Sequence, residues 1–271
     1  MTAASARLIR ELAAFAHDLL NETDALALRH FEDGVVATRK ADRTLVTRAD
    51  TEIERTIRER IGDRFPDHGL LGEEYGEEAT DAATTWIIDP IDATHNFVRG
   101  IGVFATLLAC RMEGELVLGL VSAPAMGERW WAIASEGAWR RRNGNERRIQ
   151  VSSVSSLSDT HLLYGGAASL GGRVAAASAQ TWRDRGFGDF WGHMLVAGGS
   201  AEAMVEDGVA AWDMAAPHVI VTAAGGRMTN LDGLPSWTDP QVLTSNGRVH
   251  DQLLELLRPS QPSPRGEDLP I

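Results

Sequence analysis

Residues 86–97 read WIIDPIDATHNF, and the fold turns on how this stretch is understood. Trp86, Ile87 and Ile88 are large, apolar and strand-favouring, so they read as a buried sheet strand that delivers Asp89 at its end. Pro90 fixes the turn, and Asp92 follows three residues after Asp89. Two carboxylates on a rigid turn suit a hard divalent cation, because Mg²⁺ takes oxygen ligands at about 2.1 Å in octahedral array. The Ile91 peptide oxygen offers a neutral ligand beside them. A helix beginning after Asp92 would aim the amides of Ala93 and Thr94 outward, where free N–H groups and the helix dipole favour an anion. Metal and phosphate sites would then adjoin. An isolated DPxD is more often a turn aspartate followed by a helix cap, so the stretch needs support from elsewhere in the chain.

Downstream, residues 102–112 (GVFATLLACRM), 115–125 (ELVLGLVSAPA) and 129–139 (RWWAIASEGAW) are short, apolar or aromatic, and broken by Gly and Pro. They read as sheet strands. Residues 140–153 carry the Asn143-Gly144 hairpin signal and then a Ser-rich connection, which puts a boundary near residue 150. Upstream, Leu8, Leu12, Phe15, Leu19 and Leu26 form a one-sided apolar stripe, the mark of one or two amphipathic helices. Ile53, Ile57 and Ile61 repeat the pattern, with Asp50 ahead of them as a candidate N-cap. Residues 212–229 (WDMAAPHVIVTAAGGRMT) read as a helix capped by Asp213, with Pro217 in or near its first turn and Gly225-Gly226 at its end. Mixed elements of this kind indicate a layered α/β fold. Residues 1–150 then form an N-terminal α+β part and residues 151–257 a C-terminal α/β part. The Pro- and Ser-rich residues 258–271 form a tail expected to be disordered.

Composition narrows the function. The chain has 271 residues, 44% hydrophobic, and a formal charge of −12, which opposes nucleic-acid polymers as partners. No apolar run approaches the roughly 18 residues of a spanning helix, and Glu11, His17 and Asp18 interrupt any signal-peptide core, so a cytoplasmic protein is expected. Cys110 is alone and in an apolar setting, which rules out an intramolecular disulfide. Lys40 is the only lysine, so Walker-type phosphate loops and Schiff-base chemistry fall away.

Three further acidic segments, taken singly, have ordinary explanations. Glu73 and Glu74 in LLGEEYGEE (70–78) fit a solvated turn, and Asp50 and Asp213 fit helix caps. In chain order, however, TLVTRAD (44–50), GEE (72–74), DPIDAT (89–94) and WDMAA (212–216) resemble the acidic signature set of the inositol monophosphatase family. The resemblance runs from the N-terminal helices to about residue 257. It implies an αβαβα sandwich of the inositol monophosphatase and sugar phosphatase type. It also implies that Glu73, Asp89, Asp92, Asp213 and the Ile91 carbonyl hold Mg²⁺. Asp50 and Thr94 would hold the attacking water, with Glu73 beside them in the catalytic group, and Ala93 and Thr94 would cradle phosphate. Four carboxylates offset two Mg²⁺ ions, so a doubly charged ester calls for a third, weaker cation. The family also implies a homodimer.

Ala93 departs from the glycine or serine usual there. A positive φ at that position would cost about 1 kcal/mol, whereas a right-handed first helical residue would accept alanine freely. His95, where a lysine is frequent, reads as a surface histidine beside the loop. GFGDF (186–190) and FVRGI (97–101) resemble the family's histidinol-phosphatases, which implies hydrolysis of L-histidinol phosphate in histidine biosynthesis. Asp189 is then the partner of the substrate ammonium or imidazole. Glu206, and Asp213 from the metal side, would meet the leaving group. Inositol-1-phosphate and a 3′-phosphoadenosine nucleotide are the rival substrates, and a non-catalytic metal or phosphate sensor is the rival of another class. Trp191 and His193 read as packing beside a glycine-rich helix, and His30 and His218 as structural.

Overall fold

One uninterrupted helix, α1 (Ala3–Asp33), takes up the whole N-terminal apolar stripe and buries Leu12, Ala16, Leu19 and Leu20. The structure, a computed structural model, describes residues 3–34, 37–39, 45–79, 81–166, 168 and 170–258. Lys40 and the expected disorder of the tail beyond residue 258 lie outside the described residues. A two-stranded ribbon, β1 (Ala37–Arg39) with β2 (Leu45–Thr47), leads into α2 (Arg48–Arg64). Helix α2 buries Ile53, Ile57 and Ile61 against α1 and the first sheet.

That sheet is built from β3 (Gly69–Gly72), β4 (Gly76–Glu78), β5 (Thr84–Asp92), β6 (Ala105–Met112), β7 (Glu115–Ala123), β8 (Glu128–Ile133), β9 (Gly137–Arg142) and β10 (Asn145–Ile149). Its order is β10-β9-β8-β7-β6-β5-β3-β4, and the short helix α3 (Thr94–Val98) follows β5 directly. The second sheet uses β11 (His161–Tyr164), β12 (Arg183–Arg185), β13 (Ala203–Asp207), β14 (Arg227–Asn230) and β15 (Gln241–Ser245), in the order β12-β11-β13-β15-β14. Helices α4 (Arg173–Ser178), α5 (Asp189–Ala197), α6 (Ala211–Ala223) and α7 (His250–Leu257) alternate with these strands.

Period-two alternation sorts the β5 side chains into layers. Trp86 and Ile88 join the core beneath α1 and α2, while Ile87 joins the core shared with α5 and α6. Helices α4 and α7 cover the far face of the second sheet, packing Val174, Leu253 and Leu257 on Leu162, Val205 and Leu243. The layers therefore run α1/α2, first sheet, α5/α6, second sheet, α4/α7: an αβαβα sandwich with α5 and α6 between the sheets. Cys110 sits in the first core, and burial pushes its thiol up to about 12, so it is inert filling. Among the described residues, no helix is long and apolar enough to cross a membrane.

Two helix starts differ from the sequence expectation. Helix α2 is capped by Thr47, and Asp50 is its third residue, accepting the Thr47 N–H at 2.8 Å in a capping box. Asp213 is likewise the third residue of α6 and not its cap; it accepts the Ala210 N–H at 2.7 Å. Because α6 starts earlier than expected, Pro217 is its seventh residue, past the first turn. Lacking an N–H, it leaves the Asp213 carbonyl outside the helical ladder.

Candidate active site

Asp89 and Asp92 are three residues apart, so strict alternation would put them on opposite faces of the sheet. The pairing with β6 prevents this: Asp89 lies opposite Leu107 and Asp92 opposite Ala105, three residues on β5 facing two on β6. This β-bulge re-aims Asp92 and makes room for Pro90, whose missing N–H would interrupt a regular ladder. Thr106 pins the bulge by donating its hydroxyl to the Pro90 carbonyl at 2.8 Å. Asp213 arrives from the start of α6, and Asp89, Asp92 and Asp213 each offer an oxygen within 4.8 Å of the others. They line a cleft of about 380 Å³ together with Glu73, Ile91, Ala93, Thr94 and His95.

Glu73 stands in the turn between β3 and β4. It lies outside the 4.8 Å group, but its charge acts on Asp50, Asp89 and Asp213. The turn is anchored from below by Glu54, fully buried on α2, which accepts the N–H groups of Glu74 at 2.7 Å and Tyr75 at 3.2 Å. Gly72 lets this carboxylate in: a Cβ there would lie 2.0 Å from Glu54 Oε1. Asp50 is fully buried and held by Thr47, and Thr94 donates its hydroxyl not to Asp50 but to the Ile91 carbonyl at 3.0 Å. Ala93 has φ +65°, so the positive-φ alternative is the one realised.

The electrostatics state a demand. Burial first, then the charges of Glu73, Asp92, Asp213 and Asp50, drive the Asp89 carboxyl well above its usual range. Asp92 rises for the same first reason, with Asp189 and Asp213 adding to it, although the Phe190 N–H at 2.6 Å opposes the shift. Burial, reinforced by neighbouring carboxylates, pushes Asp213 up to about 7 and Asp50 up to about 6. Asp89 Oδ1 and Asp50 Oδ1 are buried and have no hydrogen-bond partner. Oxygen-only donors, mutual repulsion and orphaned buried lone pairs fit a hard divalent cation.

Asp189 begins α5 at the cleft rim with φ +56°. Burial, then the Glu206 charge, raises it to about 6, while His95 and His193 pull the other way. His95 Nε2 lies 3.8 Å from Asp189 Oδ2, so this histidine faces the site. Glu206 does not line the cleft. Its Oε1 accepts the Asp189 N–H at 3.0 Å and its Oε2 lies 3.1 Å from His193 Nε2. Trp191 packs on Phe187, and His30 pairs with Glu52 at 3.1 Å. Thr47, Glu54, the Phe190 N–H and His193 were not singled out as site residues; only Thr47 left a readable signal, the T-x-x-D of a capping box.

Fold and cluster together define the class: a layered αβαβα scaffold with a buried carboxylate site suited to divalent cations. The family model of the inositol monophosphatase family matches residues 8–261. The histidinol-phosphatase of Streptomyces coelicolor is 42% identical over 257 residues, spanning 89% of this chain and 95% of its own. That of Mycobacterium tuberculosis is 40% identical over 227 residues, 80% and 86% of the two chains. A solved IMPase/NADP phosphatase complexed with Mg²⁺ and phosphate superposes with a TM-score of 0.83 at 25% identity, covering 92% of this chain and 95% of that one. The chain belongs to the inositol monophosphatase family of phosphomonoesterases.

Proposed function

We propose that this chain hydrolyses L-histidinol phosphate to L-histidinol and phosphate, a step of histidine biosynthesis, with two to three Mg²⁺ ions per site. The observation that carries the reading is the 42% identity to a histidinol-phosphatase across nearly the whole of both chains. The cleft chemistry agrees with it. Asp189, raised only to about 6, is ionised at neutral pH and offers a carboxylate to a cationic leaving group, which a neutral polyol would not need.

In this reading Asp89, Asp92, Asp213, Glu73 and the Ile91 carbonyl hold the metal. Bound divalent cations supply charge neutralisation of the ester and lower the pKa of the attacking water. The amides of Ala93 and Thr94 orient phosphate, and Asp50 with Thr94 positions the water. For that role the Thr94 hydroxyl turns from Ile91 toward the water, which costs one hydrogen bond of about 1 kcal/mol. The Ile91 carbonyl has two lone pairs, so accepting Thr94 does not bar it from a metal. The P–O ester bond breaks as the water oxygen joins phosphorus; the water keeps one proton on the phosphate and gives up the other, which offsets the proton that the leaving oxygen takes up. Asp213 belongs to both the metal and the leaving-group side.

Steady-state rates of the purified protein with Mg²⁺ on L-histidinol phosphate, inositol-1-phosphate and a 3′-phosphoadenosine nucleotide test the proposal. The expected result is the highest kcat/KM on the first ester and loss of all release in EDTA. A flat or inverted ranking removes the histidinol reading. Absence of release from all three favours a metal or phosphate sensor.

A further inference from the structure

Each Glu206 oxygen already has a partner inside the protein, and the second partner lies one layer deeper than the cleft. His193, on α5, is fully buried, with Nδ1 2.9 Å from Thr244 Oγ1 and Nε2 3.1 Å from Glu206 Oε2. Glu206 as a carboxylate can only accept, so Nε2 donates to it; a neutral ring then accepts the Thr244 hydroxyl at Nδ1. Glu206 on β13 and Thr244 on β15 are diagonal neighbours of one antiparallel pair, Glu206 opposite Val242 and Met204 opposite Thr244. The sheet therefore fixes both ends of the chain of bonds. Gly165 closes the slot around the carboxylate: a Cβ there would lie 2.2 Å from Glu206 Oε1. The free end of the network is the Asp189 N–H, which donates to Glu206 Oε1 at 3.0 Å.

That bond helps to hold Asp189. Its φ of +56° is a region that few L-residues other than Asn and Asp enter, and the bonds around it set how firmly the turn is kept there. Two clamps do so: Glu206 on the Asp189 amide, and Asp92 on the next amide, Phe190, at 2.6 Å.

We infer that His193, which does not reach the cleft, is a positioning residue: through Glu206 it holds Asp189 in the geometry that prefers a cationic leaving group, an inference that rests on the histidinol-phosphate reading. Glu206 is on this view the link that carries the hold of His193 to Asp189.

The test uses the Mg²⁺-loaded enzyme with two esters, L-histidinol phosphate and 4-nitrophenyl phosphate. His193→Leu removes both hydrogen bonds; His193→Gln keeps a donor toward Glu206 and an acceptor toward Thr244. The expected result for His193→Leu is a KM for L-histidinol phosphate raised by about tenfold, with KM and kcat on the aryl ester within about threefold of the parent. His193→Gln restores the parent behaviour. Equal shifts on both esters, or no shift, overturn the inference. Should His193→Leu fail to fold, Thr244→Val removes only the outer bond and is expected to move the same KM in the same direction. Amide hydrogen exchange at Asp189 is read on the same proteins without substrate: it accelerates by about tenfold in the breaking variant and not in His193→Gln. A parent enzyme without preference for the cationic ester sinks the substrate reading, while unchanged exchange at Asp189 sinks the role of His193.

Discussion

On one rim of the cleft, Asp89, Asp92 and Asp213 crowd their carboxylates together, and Asp89 keeps a buried oxygen with no partner. Behind the other rim, beneath Asp189, both Glu206 oxygens and both His193 ring nitrogens are engaged in bonds inside the protein. The first arrangement is unfavourable when all three carboxylates are ionised without a counter-charge; the second is complete on its own and serves to hold a shape. Each rim also carries a non-glycine residue at positive φ, Ala93 at +65° and Asp189 at +56°. Unmet electrostatic demand marks where something must bind, and satisfied hydrogen bonding marks what must stay still.

The sharpest way to break this contrast is Asp89→Asn. The substitution removes a candidate metal ligand, so kcat is expected to fall by orders of magnitude. It also replaces a repelled carboxylate with an amide whose N–H groups can bond to the carboxylates around it. In EDTA the melting temperature of the variant is therefore expected to rise. Opposite signs in turnover and metal-free stability are the signature; near-normal turnover would contradict the assignment.

The same demand appears as a pH dependence. Asp50 and Asp189 are raised to about 6 and Asp213 to about 7, so the metal-free folded state holds protons that the unfolded chain has released. Their stabilising contribution is fully present below the ordinary carboxylate pKa and is lost as pH rises through 6 to 7. His17 and His250, lowered to about 4 by burial, act in the opposite sense, losing stability as pH falls from their ordinary value toward 4. They contribute equally with and without metal and cancel in the difference. The gain in melting temperature from EDTA to saturating Mg²⁺ is thus expected to grow from about pH 5 to about pH 8, with protons released on binding at the acid end. Calorimetry at several pH values decides, and a gain that is flat or largest in acid would refute the assignment.

Much of the metal rim was legible because its signals are local. Apolar and aromatic runs broken by Gly and Pro mark β5 to β8 and the start of β9, which the sequence merges with β8; Asn143-Gly144 takes φ +48° and +79° as a hairpin turn requires, and the apolar stripes mark α1 and α2. Asp50 and Asp213 were misplaced by three residues because both helices start earlier than their apolar stripes. The bulge that puts Asp89 and Asp92 on one face could not be read from β5 alone, since Ala105 and Leu107 on the partner strand define it. The other rim was harder still. The Phe190 amide meets Asp92 across 98 residues, and His193 meets Thr244 across 51. A histidine two residues from Trp191 has the sequence look of packing, and only the fold shows that both its nitrogens have partners.

A smaller effect sharpens the second rim. Asp189→Asn removes the charge yet tolerates positive φ, as Asn commonly does, whereas alanine would confound charge with backbone strain. The KM for L-histidinol phosphate is expected to rise by about tenfold, equivalent to ~1.4 kcal/mol, with little change for an aryl phosphate. Equal effects on the two esters would show that Asp189 does not read the leaving group.

The smallest expected effect belongs to Ala93→Gly, and it asks whether the strain on the metal rim is functional. The left-handed backbone costs alanine about 1–2 kcal/mol, which glycine avoids. Against this stand the lost burial of a methyl group, about 0.8 kcal/mol, and the added freedom of glycine in the unfolded chain, about 0.5–1 kcal/mol. The opposing contributions nearly cancel, so stability is expected to change by less than about 1 kcal/mol and kcat to stay within about threefold. The backbone amides assigned to phosphate are the same in both proteins. A large loss of turnover, measured beside an unchanged melting temperature, would mean that the methyl group itself holds the loop in register, and that the strain at position 93 contributes to catalysis.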